Sequence, residues 1–132
     1  MREGEFLIDL FIGAIPPVGV TAPLPGPALV CAAAKKAGLS TKQFDFNLDF
    51  FHRIKHRSEL IEWMNIDSFG EDRSCDMETL LDDAIESWIQ SIVKARPRWV
   101  GLSIFSLRCF TVLDRLLPRL RKAYPSGRIV IG

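Results

Sequence analysis

Apolar positions follow two rhythms along this chain. Phe6 to Ile15 (FLIDLFIGAI) is apolar almost throughout, as a central strand covered on both faces would be. Asp9 is the one charge inside it, and the pattern gives no reason for it. Pro16-Pro17 ends the run, because proline cannot donate to a ladder, and VGVTAPLPG follows as a glycine- and proline-rich loop. A helix is expected to start near Pro27, which suits a first helical position. It continues through the alanine-rich stretch Ala28 to Ala37, with Lys35 and Lys36 at its negative end and Gly38 as a left-handed stop.

Thr41 to Phe46 reads as a second, short strand. The segment Asn47 to Asp76 is mixed: Phe50, Phe51, Ile54, Leu60, Ile61 and Met64 fit a helix or two, and its tail SFGEDRSCD is polar and loop-like. It is long for a helix-to-strand connection. Met77 to Lys94 then carries the clearest three-and-four rhythm, from Met77, Leu80 and Leu81 to Ile92 and Val93, with Asp76 as N-cap and Pro97 as the stop. Trp99 to Phe105 is a third strand, expected to be buried on both faces. Cys109 to Tyr124 is a helix in which Pro118 should produce a kink or a break. Pro125-Ser126-Gly127 is a turn, and Arg128 to Ile131 a fourth strand. Strands and helices that alternate in this way give a parallel sheet with right-handed crossovers and helices on both faces. The expected fold is therefore α/β: an open parallel sheet, flavodoxin-like (Rossmann-like), in three layers.

Composition narrows the function classes. The 132 residues suit one domain, residues 1–132, and 48% apolar with 25% charged residues is a globular profile. A net charge of +1 lacks the basic excess of a nucleic-acid binder. Cys31, Cys75 and Cys109 form neither a CxxC pair nor a zinc spacing and read as reduced thiols. Acidic residues interrupt the N-terminal apolar run, so it is a poor signal peptide, and no stretch reaches the ~18 apolar residues of a membrane span. These features point to a cytoplasmic protein with no nucleic-acid or membrane partner.

In open α/β sheets ligands bind beyond the carboxyl ends of the strands, where strand order reverses. That directs attention to Ile15–Pro25, Phe46–Asp49, Ser103–Leu107 and Gly132. Ser103-Ile104-Phe105 stands where cobalamin-binding domains of the methionine-synthase type carry SxL, with Phe105 in place of leucine. After residues 106–131 comes Gly132, at the spacing of the family's GG. The family's DxHxxG is absent. In its place the Pro16-Pro17 loop, the helix closed by Gly38 and the strand closing on Asp45-Phe46-Asn47 resemble the N-terminal cobalamin-binding domain of radical-SAM enzymes.

That resemblance implies a cobalamin-binding module, not catalytic by itself, that presents the corrin to a radical-SAM barrel in cis or in trans. The [4Fe-4S] cluster and S-adenosylmethionine would belong to a part of the parent enzyme outside this chain, and the parent would carry out methyl transfer or other radical chemistry. Pro16, Pro17, Val18 and Leu24 would supply an apolar platform for the corrin disc. Ser103 and Gly132 would let its nucleotide tail pass close to the backbone, Ser103 or Ser106 would hydrogen-bond the tail, and Phe105, Asp45 and Asn47 would complete the binding set. Without DxHxxG no protein histidine is expected under the cobalt, and His52 and His56 read as solvated. No catalytic residue and no metal ligand is expected in this chain. The sheet is expected to be truncated after its fourth strand, with a further strand and helix missing.

Other readings of the same fold are weaker. A receiver domain needs an aspartate at the end of the third strand, where this chain has Ser103 to Ser106. A nucleotide or flavin binder lacks GxGxxG and GxxxxGK, and prolines remove donors a phosphate would use. A ligand-free partner-docking domain remains as the bland alternative. The aromatic residues Phe44, Phe46, Phe50 and Phe51 read as core.

Overall fold

The computed structural model describes residues 5–20, 24–57, 69 and 75–132, apart from the side chain of Cys75. Its elements are β1 (Ile8–Ala14), α1 (Pro25–Lys36), β2 (Thr41–Asp45), α2 (Phe46–Ile54), α3 (Cys75–Ala95), β3 (Pro97–Ser103), a 3-10 turn (Leu107–Cys109), α4 (Phe110–Ala123) and β4 (Arg128–Ile131). The four strands form one open sheet in the order β2-β1-β3-β4, parallel throughout. The fold is α/β in three layers, as the alternation of elements requires.

Among the described residues the two helical layers are unequal. On β1, Phe11 joins the large buried cluster with Phe46, Trp88, Ile89, Ile92 and Val100, whereas Leu10 and Ile12 on the opposite face look toward α1. Helices α2, α3 and α4 share the first face, and among the described residues α1 is the one helix on the second, against β1 and β2. β3 records the consequence. Val100 and Leu102 are buried, but Trp99 on the other face is 37% exposed, so the expected burial of this strand on both faces is corrected to one.

The core is built around stacked rings. Phe46 lies 4.8 Å from Trp88 and 6.0 Å from Phe11. A Cβ on Gly13 would run into the Phe46 ring, so the strand must carry glycine there. Trp88 Nε1 donates to Asp49 Oδ2 at 2.7 Å, and Arg53 Nε reaches the same oxygen at 2.7 Å. This satisfies the one polar atom of a buried indole. The aromatic residues thus form core, with Phe46 and Phe50 fully buried and Phe44 and Phe51 half-buried. α3 and α4 are joined at their flanks: Arg115 donates to Asp82 at 2.9 Å and to Glu78 at 3.0 Å, and Arg119 pairs with Asp82 at 3.1 Å.

Element ends shift by small amounts with identifiable causes. α1 starts at Pro25, two residues earlier than expected, and Gly38 takes φ +84°, the left-handed stop. β2 ends at Asp45, which caps α2 by accepting from Leu48 N at 2.8 Å, so Phe46 opens the helix instead of closing the strand. α3 already includes Cys75, which puts Asp76 in its first turn and not at the N-cap. Pro118 neither breaks α4 nor ends it: the helix runs through. Asp114, whose carbonyl loses its partner to the proline, is exposed and open to water. Leu60, Ile61, Met64 and most of the SFGEDRSCD tail lie outside the described residues. No helix among the described residues is long and apolar enough to cross a membrane.

Candidate functional site

The chain leaves β1 toward α1 on one face of the sheet and leaves β3 toward α4 on the other. Between these neighbouring strands their following loops diverge, and that opens a crevice at the carboxyl ends. Hydrogen bonds tie the crevice together. Ile15 N donates to Ser103 O at 2.9 Å, Ile104 N to Gly132 O at 2.8 Å, and Gly132 N to Leu102 O at 3.1 Å. The Pro16-Pro17 loop, the end of β3 and Gly132 therefore stand side by side at one end of the sheet.

From this end a groove of about 690 Å³ runs down the sheet beside α1. The volume lies in the roughly 300–1,000 Å³ range of small-molecule sites. Its head is formed by Ser103, Gly132 and Gly26. Its walls are apolar, from Leu10 and Ile12 of β1, Val30 of α1, and Trp99 and Val130 of β3 and β4. Gly101 belongs to its floor, where an added Cβ would lie 3.4 Å from Ile12 Cγ1, and presents only backbone to the groove. At the opposite end stand Asp9 and Arg98, and Arg128 lies over the Trp99 ring at 5.2 Å.

The residues expected to bind a ligand divide into those that meet the groove and those with work inside the fold. Ser103 and Gly132 line it, and half-buried Leu24 directly precedes α1. Pro16, Pro17 and Val18 are buried, with a cis peptide bond between the two prolines. Asn47, 1% exposed, holds that loop: its Nδ2 donates to Val18 O at 2.9 Å, and its Oδ1 accepts from Val18 N at 3.0 Å. Asp45 caps α2. Cys109 adds a second tie, its thiol donating to Ile15 O at 3.5 Å. Ser106 precedes the 3-10 turn in extended conformation, with its hydroxyl 4.0 Å from the Cys109 sulfur.

Apolar surface open to solvent near the end of β3 comes from residues the sequence pattern did not single out together. Phe105 is 58% exposed, and Leu107, on the 3-10 turn, is 84% exposed. Of these only Phe105 was picked out by its motif position. The signal for Leu107 was available: an isolated leucine between Ser106 and Arg108, outside any helical stripe. Trp99 and Gly101 were also missed as groove residues, because a strand read as buried on both faces has no open side.

Two groups among the described residues have displaced proton affinities. Hydrogen bonds from the Ser40 backbone and hydroxyl hold the Asp9 carboxyl below its ordinary range, at the far end of the groove. Burial pushes the Tyr124 phenol up, while its OH donates to Pro97 O at 2.7 Å. His52 and His56 are exposed, in and just after α2. Among the described residues no three His, Cys, Asp or Glu side chains are grouped as a metal site. The site offers shape and apolar area, with hydroxyl and backbone groups at its head.

Fold and crevice together define the class: a parallel, open-sheet α/β domain with a ligand-sized groove at its switch point. No family model, curated protein or solved structure matches the chain.

Proposed function

We propose that this chain is the cobalamin-binding module of a radical-SAM enzyme, holding the corrin at the carboxyl ends of the strands with the nucleotide tail in the groove beside α1. One observation carries the reading: Ser103 and Gly132, the two positions marked by motif spacing, meet at the head of one continuous apolar groove. The residues present fit such a group. Ser103 and Gly132 offer a hydroxyl and a bare backbone where the tail would enter, Gly26 and Gly101 leave room along its course, and Leu10, Ile12 and Val30 give it apolar walls. Phe105 and Leu107 leave apolar area open near the strand ends, where the disc would sit. Asn47 and Cys109 hold the flanking loop in place, and Asp45 fixes the helix that carries Asn47.

When bound, cobalamin would supply a cobalt–carbon bond for group transfer. The chain's own residues bind it, orient it and exclude water. The [4Fe-4S] cluster and S-adenosylmethionine belong, in this reading, to a separate barrel in cis or in trans, since Cys31, Cys75 and Cys109 are too far apart in sequence for the CxxxCxxC that holds such a cluster. A cytoplasmic setting goes with the reading, in keeping with the free thiols of Cys31 and Cys109.

The test is direct. Purified protein is mixed with hydroxocobalamin, passed through a desalting column and scanned. Retention of a shifted corrin spectrum at about one equivalent per chain supports the proposal. A corrin-free protein fraction removes it, and favours a domain that docks a partner without a ligand.

A further inference from the structure

We draw no further inference here: the strongest candidate, the apolar strip of β3 and β4 running from Val130 past Trp99 to Arg98 and Arg128, belongs in part to the groove already described, and nothing among the described residues shows what covers the rest.

Discussion

Asn47 commits both ends of its amide to Val18, on a loop 29 residues upstream. It acts as a short piece of ladder where prolines leave the backbone without one. Asn47→Ala would leave the N–H and C=O of buried Val18 unpaired, and we expect a loss of about 2–4 kcal/mol in urea unfolding, from two hydrogen bonds and their desolvation. A variant as stable as the parent would show that water replaces the amide at no cost. Asp9 resolves the one charge that the apolar run left unexplained. Its carboxylate accepts from Ser40 N at 2.9 Å and Ser40 Oγ at 3.0 Å, tying β1 to the start of β2. These bonds lower its proton affinity in the folded state. Its contribution is therefore fully present above the unfolded value of about 3.9 and lost as pH falls through the lower folded value. Asp9→Asn should flatten the acid limb of a stability–pH curve in that window. The same acid slope in both proteins would contradict this account of Asp9.

At the scale of elements, local chemistry reads well wherever it sets the conformation by itself. The stop of α1 is an example: Gly38 has φ +84° and open space around an added Cβ. Gly38→Ala therefore meets strain without a clash, and should lower stability by about 1 kcal/mol in thermal unfolding. No change would mean that the helix ends another way. α3 was equally legible, because its stripe is long and its charges follow the dipole. What sequence could not give was the environment of an element. β3 has the same apolar content whether one or two helical layers cover it, and only the placement of α1 over β1 and β2 leaves Trp99 half-open. The Pro16-Pro17 loop shows the converse. Its prolines read as a surface platform, yet Asn47 and the Cys109 thiol hold the loop against the fold, and burial of that kind arises from contacts remote in sequence. Pro118 marks no break for a third reason: a proline on an exposed helix face leaves its orphaned carbonyl to water, and the helix continues.

For the molecule as a whole, strand order is what converts motif spacing into a site. The order β2-β1-β3-β4 sets the ends of β1 and β3 next to each other and sends their loops to opposite faces. It also aligns Ser103 and Gly132, far apart in sequence, through the bonds of Gly132 with Leu102 and Ile104. Spacing alone had marked both positions. The groove that joins them, with its glycine floor and half-open tryptophan, required the unequal helical layers to be seen. The account's central claim is that this groove seats the tail of a corrinoid. The measurement that tests it most directly is retention of hydroxocobalamin, after desalting, by the parent protein and by Ser103→Trp, with melting curves taken on both. The account predicts that the parent keeps a shifted corrin spectrum, and that the variant melts like the parent and loses at least ten-fold in affinity, about 1.4 kcal/mol. Equal retention by both proteins, with the indole filling the head of the groove, would contradict it.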